Sequence, residues 1–141
     1  MATSTKTFQC VVVAPHGKLV DAPARSVVFP AHDGQRGVMA DHSPMFCKLG
    51  VGIMEMETTD EATGLIDRER VLVDGGFAVI CENQLKVVSY DVIHPLKSDP
   101  EAIDALQRRL RKDLDSGSLD SDIRRSTSHK LNLLEHLLAS V

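Results

Sequence analysis

Asp33-Gly34-Gln35-Arg36-Gly37-Val38-Met39-Ala40-Asp41-His42-Ser43-Pro44-Met45 is the stretch on which the reading of this chain turns. Two glycines three apart and a His-Ser-Pro turn interrupt apolar sequence, so residues 33–45 read as a loop between strands. Upstream, Thr7-Phe8-Gln9-Cys10-Val11-Val12-Val13 opens with alternation and ends in a β-branched run, and Arg25-Ser26-Val27-Val28-Phe29 precedes Pro30. Downstream, Val51-Gly52-Ile53-Met54-Glu55-Met56-Glu57 alternates again, and Asp60-Glu61-Ala62-Thr63-Gly64 reads as a hairpin connection. Arg68-Glu69-Arg70-Val71-Leu72-Val73, Phe77-Ala78-Val79-Ile80-Cys81 and Leu85-Lys86-Val87-Val88-Ser89 complete the series. Glu82-Asn83-Gln84 is a tight turn, and Gly75-Gly76 sits where a turn needs positive φ. Short runs punctuated by Gly, Pro, Asn and Asp predict an all-β sandwich or barrel over residues 1–95.

After Pro95 the period changes. Asp99 or Ser98 can cap a helix, Pro100 suits its first turn, and Glu101 can complete a capping box behind Ser98. Ile103, Leu106, Leu110 and Leu114 then share one stripe, opposite Arg108, Arg109, Arg111 and Lys112. Ser116-Gly117-Ser118 breaks the helix, with Gly117 suited to a left-handed cap. Asp120 or Ser121 can start a second helix. Its stripe is Ile123, Thr127, Leu131, Leu134, Leu137, Leu138 and Val141, with Leu133 at the margin. Residues 96–141 therefore read as an antiparallel helical hairpin, and the whole chain as α+β by composition.

The two halves differ in expected stability. Each buried aliphatic side chain contributes roughly 1.5–3 kcal/mol before entropy, and the β part holds many. Isolated helices this short are marginal in water. The hairpin is thus expected to persist only while its stripes are covered, by each other, by the β part or by a partner. Such an arrangement makes a conformational switch physically cheap.

Composition narrows the function. The chain has 141 residues and a formal net charge of −4, against the basic surplus of a nucleic-acid binder. No apolar run approaches the ~20 residues that span a bilayer, and Met1 to Thr7 lack the apolar core of a signal peptide. A soluble, intracellular protein is expected, with membrane association only through partners. Cys10, Cys47 and Cys81 have apolar neighbours and read as reduced, buried thiols. Gly34-Gln35-Arg36-Gly37 lacks the spacing and lysine of a phosphate loop. His32, His42 and Cys47 form no recognisable metal-ligand spacing. The basic arc of the first helix reads as a solvated face balanced by Asp104, Asp113 and Asp115, with docking on an acidic partner as the sharper alternative. Lys130 lies near the centre of the second apolar stripe. It must reach solvent or meet a carboxylate, which points to a face not permanently buried in a dry core.

Taken in order, Gly34 to Gly37, His42-Ser43-Pro44, Gly75-Gly76-Phe77, Asn83-Gln84-Leu85-Lys86-Val87 and the polar helical tail resemble the epsilon subunit of the F-type ATP synthase, counterpart of the mitochondrial delta subunit. The resemblance runs from Phe8 to the last helix. It implies a flattened β-sandwich and a regulatory two-helix segment on the central stalk of a rotary motor. The chain itself is then no enzyme and needs no cofactor. The implied partners are the gamma subunit and the c-ring, with the alpha and beta subunits within reach of the C-terminal helices. The implied place is the cytoplasmic face of the bacterial inner membrane. Carried over by position, Gln35 and Arg36 fall where such proteins meet the c-ring, and His42 and Ser43 where they face gamma. Arg124, Arg125 and Lys130 are the candidates for contact with an acidic segment of the beta subunit. The resemblance implies that a helix inserted there blocks rotation and slows ATP hydrolysis.

The chain departs from the family pattern in three places. Gln35-Arg36 stands where a glutamate and an apolar residue are usual. Ala40-Asp41 replaces the usual Pro-Gly. An ATP-binding motif of some relatives, Ile/Leu-Asp-x-x-Arg-Ala, starts correctly with Ile103-Asp104, but Gln107-Arg108 replaces Arg-Ala. A one-residue shift turns a side chain about 100° around a helix, so weak or absent ATP binding is implied. Two other readings compete: a small-molecule enzyme using the scattered histidines and cysteines, and a β-sandwich adaptor that takes peptides on its edge strands.

Overall fold

The computed structural model describes residues 6–60, 62–117 and 120–139. Nine strands come first: β1 (Phe8–Ala14), β2 (Gly17–Ala31), β3 (Gly34–Met39), β4 (Met45–Lys48), β5 (Val51–Thr59), β6 (Ile66–Asp74), β7 (Phe77–Cys81), β8 (Gln84–Val88) and β9 (Asp91–Ile93). Helices α1 (Pro100–Asp115) and α2 (Ser121–Ala139) follow. The strands pair in the order β4-β7-β8-β1-β2-β5-β6-β9, with β3 added to β2. Among the described residues only β1 and β8 pair in parallel; the other pairings are antiparallel.

β2 joins the two layers. Its first half pairs with β1 and its second half with β3 and β5. A single bridge, Ala31 to Leu49, draws the far end of β2 toward the end of β4. The ladder does not close, so the expected architecture resolves to a sandwich and not a barrel. Phe8, Phe29, Met54, Met56, Ile80 and Leu85 are fully buried between the layers.

Strand β6 shows why the sequence reads as a continuous apolar run. Val71 and Val73 point into the sandwich core. Leu72, between them, points outward into a second cluster with Ile93, Ile103, Leu106, Leu110, Leu131, Leu134 and Leu137. Successive side chains leave a strand on opposite faces, so a strand covered on both sides loses its polar alternation. Strand β5 keeps the alternation, with Met54 and Met56 inward and Ile53 outward against the helices.

The deciding stretch is not a simple loop. Gly34–Met39 forms β3, paired with residues 26–31 of β2, and only Val38 within it is buried. An edge strand of this kind is held by backbone hydrogen bonds, leaving little side-chain pattern to read. Strands β4 and β9 also lie outside the expected series, being only four and three residues long. Cys10 and Cys47 are buried, but Cys81 is exposed, against expectation, because it ends β7 on the solvent face.

Helix α1 is capped by Asp99, whose side chain accepts from the Glu101 N–H at 3.0 Å. The capping box behind Ser98 does not form. Instead the Ser98 hydroxyl accepts the His94 N–H at 2.8 Å. Gly117 takes a left-handed φ of 68° just past the helix; Ser118 lies outside the described residues. Helix α2 starts at Ser121, and the Asp120 carbonyl accepts the Arg124 N–H at 2.8 Å. The α2 stripe is buried at Leu131, Leu134 and Leu137, whereas Ile123 is exposed. Val141 lies outside the described residues. Helix α2 rests against β5 and β6, and α1 packs on α2.

Candidate functional site

The candidate contact residues fall in separate places. Gln35 and Arg36 open β3 beside the β2–β3 turn, and both are exposed. Arg36 pairs with Asp33 at 3.2 Å; the hydrogen bond it donates holds the Asp33 carboxyl below the usual carboxylate range. His42 and Ser43 follow the other end of β3. At ~3.3 Å per residue, a strand length separates the two pairs. The β3–β4 loop is anchored: Asp41 has a left-handed φ of 63°, its N–H donates to the Asn83 side chain at 2.9 Å, and the Asn83 amide donates to the Thr7 carbonyl at 2.8 Å. An aspartate tolerates that conformation better than most residues, which is how Ala40-Asp41 makes the turn. His42 Nδ1 donates to the Ser43 carbonyl at 2.7 Å.

Beyond Ser43 lies a feature that periodicity does not reveal. Phe46 on β4 and Phe77 on β7 stack with ring centroids 5.6 Å apart. Phe46 is 68% exposed, and Val79, its partner in register, is 38% exposed. Lys48 and Lys86 stand next to this apolar group in the ladder, opposite Phe77 and Val79. A strand with one face in the core must show its alternate residues outward. Large apolar side chains grouped there, with charges at the margin, make a candidate interaction surface.

The opposite outer face carries α2. Lys130 Nζ donates to Asp74 at 2.8 Å and to Asp91 at 2.9 Å. Those aspartates are register partners at the ends of β6 and β9. The Ser89 hydroxyl accepts the Asp74 N–H at 3.2 Å and lies within hydrogen-bond distance of the Asp74, Gly75 and Asp91 carbonyls, which fixes the strand ends. Burial works against the lysine's charge, but its hydrogen bonds to Asp74 and Asp91 outweigh that and raise its pKa above the ordinary value. Lys130 therefore meets carboxylates of its own chain. Arg124 and Arg125 do not join it. They lie on another side of α2, near Ser121, Ser128, His129 and Asn132.

The degenerate nucleotide motif divides between the two faces of α1. Ile103 is buried in the helix cluster, while Asp104 and Arg108 pair along the helix surface at 3.3 Å. Arg111 crosses to Glu135 of α2 at 2.7 Å. His32 lies 3.4 Å from the Lys48 carbonyl, and burial pushes the Cys10 thiol up to about 12. Among the described residues no group of three His, Cys, Asp or Glu side chains is placed to hold a metal.

The linker between β9 and α1 folds around His94. Its Nδ1 accepts the Leu96 and Lys97 N–H groups, each at 3.1 Å, and its backbone pairs reciprocally with Ser98. Nε2 lies 3.5 Å from Glu69, which Lys97 also approaches at 3.4 Å. The imidazole is buried and its pKa is lowered, by burial first and by Lys97, against the opposing pull of Glu69.

Residues 7–95 match the model of the ATP synthase delta/epsilon chain β-sandwich domain. A chloroplastic ATP synthase epsilon chain from Pylaiella littoralis is 32% identical over 79% of this chain and 80% of its own. An ATP synthase epsilon chain from Rhodospirillum centenum is 31% identical over 87% of this chain and 88% of its own. A chain in the central stalk/c-ring structure of the Tetrahymena thermophila mitochondrial ATP synthase superposes with a TM-score of 0.60 at 13% identity, covering 96% of this chain and 99% of that one.

Proposed function

The chain belongs to the ATP synthase delta/epsilon family, and from that premise we propose that it is the epsilon subunit of a rotary F-type ATP synthase. In this reading it sits on the central stalk and couples the catalytic head to the ion-translocating ring. It works by contact and not by catalysis; ATP chemistry belongs to other subunits of the complex. No described helix is long and apolar enough to cross a membrane. The complex holds the chain at the membrane, on the cytoplasmic face in a bacterial cell.

The observation that carries this reading is the unlike treatment of the two outer sheet faces. One is covered by α2. The other leaves Phe46 open on β4, which starts just after His42 and Ser43, and Phe77 and Val79 open on the neighbouring β7. A partner subunit that covers that face removes apolar surface from water, worth roughly 25 cal/mol per Å². We assign it to the gamma subunit and the exposed Gln35-Arg36 turn to the c-ring. Residues 1–95 form the docking unit and 96–141 the regulatory one. Arg125, exposed, and Arg124, half-buried, suit contact with an acidic segment of the beta subunit once the helices leave the sandwich.

Phe46→Asp combined with Phe77→Asp is expected to cut co-purification of this chain with gamma and c-ring at least tenfold. A chain ending after Leu96 is expected to assemble normally and to raise the ATPase activity of the complex. Recovery of the unaltered chain from membranes as a monomer, without gamma or c-ring, refutes the assignment. Unchanged ATPase after truncation removes the regulatory half alone.

A further inference from the structure

We propose that Lys130, Asp74 and Asp91 form an electrostatic latch that sets whether the helix pair lies on the sheet. The inference rests on the reading of the helix pair as a movable regulatory segment, and it names what holds that segment down.

Lys130 interrupts an apolar stripe, beside Leu131 and one turn from Leu134, and its side chain is only 12% exposed. A charge in that position is costly unless it is paired and hydrogen-bonded. Here it has two carboxylates at short range, presented by strand ends that Ser89 holds in place. Asp74 and Asp91 are directly opposed across β6 and β9. Like charges opposed across strands destabilise each other, so the pair is poorly matched without the lysine.

The apolar contact that this latch supplements is small on the sheet side. In the second cluster the sheet contributes Leu72 and Ile93, with Ile53 beside them; the remaining buried members come from the helices themselves. Separating α2 from the sheet thus exposes few sheet side chains but leaves the two aspartates facing each other with no lysine between them. The same ammonium cannot serve Asp74 and Asp91 and an acidic partner at once. Its contact with a partner is therefore conditional on release, unlike that of Arg124 or Arg125.

The test compares Lys130→Gln, the Asp74→Asn/Asp91→Asn pair and the triple variant in the full chain. Amide hydrogen exchange in α2 is read at low and high salt, with amides of β7 and β8 as the control for the sandwich. Removing either side of the latch is expected to speed α2 exchange about tenfold, on the scale of coupled neighbouring groups. It should also abolish the salt dependence that screening gives the parent chain. The triple variant should open no further than the more open of the other two. Exchange within twofold of the parent in both Lys130→Gln and the aspartate variant overturns the latch, as do fully additive effects. If Lys130→Gln also loosens β7 and β8, the aspartate variant decides by the same criterion. In the assembled complex, the aspartate variant frees the helix while keeping Lys130, and slower ATP hydrolysis is expected. Faster α2 exchange with unchanged hydrolysis supports the latch and counts against the inhibitory reading.

Discussion

Leu72 and its neighbours Val71 and Val73 belong to one strand, yet they serve two cores of unlike construction. The sandwich core draws on inward-facing residues from all nine strands, each strand fixed by a hydrogen-bonded ladder as well as by packing. The helix cluster is anchored to the sheet by side chains: Leu72, Ile93 and Ile53 among the apolar ones, with Lys130 between Asp74 and Asp91. A ladder and a core are lost together, in one cooperative event. Side-chain contacts between a helix pair and a sheet can open while the sheet stays folded. The contrast is what the proposed combination of a docking sandwich with a releasable helix pair requires.

The contrast is tested most severely at Phe29, which is fully buried in the sandwich. Phe29→Ala is expected to cost about 3–5 kcal/mol and to lower the denaturation midpoint of strands and helices together, read by circular dichroism and by exchange in β7 and α2. Loss of α2 protection with intact β7 protection breaks the comparison.

Leu134, equally buried but in the helix cluster, should behave differently. Leu134→Ala is expected to cost about 2–5 kcal/mol, most of it as local opening. Exchange rises throughout α2 while β7 and β8 keep their protection. A uniform rise across both regions means that the chain unfolds as one unit and that the helix pair is not separately releasable.

The legible parts are those whose pattern is local. The α1 stripe at Ile103, Leu106 and Leu110 appears in the sequence because helical neighbours lie three and four residues apart, and the structure buries all three. The β7–β8 hairpin is equally plain, since Glu82 and Asn83 take the positive φ values of 50° and 60° that its turn needs. Strand β3 is hidden because its glycines and polar residues leave only Val38 to alternate. The partners of Lys130 are hidden for another reason. That it must reach solvent or meet a carboxylate follows from the cost of a buried charge, but Asp74 and Asp91 come together only through a pairing of β6 with β9. The exposed Phe46–Phe77 stack is missed for the same reason: two strands distant in sequence become neighbours, and alternation does not say which side a partner will cover.

The smallest expected effect is also the most selective, because it acts on the linker and leaves both cores intact. His94 Nδ1 can accept two N–H groups only while it carries no proton. Glu69 and Lys97, the charged groups at the ring, pull its pKa in opposite directions, and burial tips the balance downward. When the linker opens, the imidazole regains solvent and an ordinary pKa near ~6.5. The open form then binds a proton at a pH where the closed form does not, so stability of the closed linker rises with pH. It is fully present above the ordinary histidine value and declines as pH falls below it. Exchange at the Leu96 and Lys97 amides should therefore accelerate, relative to β7, between pH 7.5 and pH 5.5, by less than either core truncation produces. His94→Asn keeps an acceptor near the Nδ1 position and removes the titration, so its exchange ratio should stay flat over that interval. A parent chain as flat as the variant shows that the imidazole packs in the linker without governing it. A ratio that rises with acid in the variant too places the sensitivity outside the imidazole.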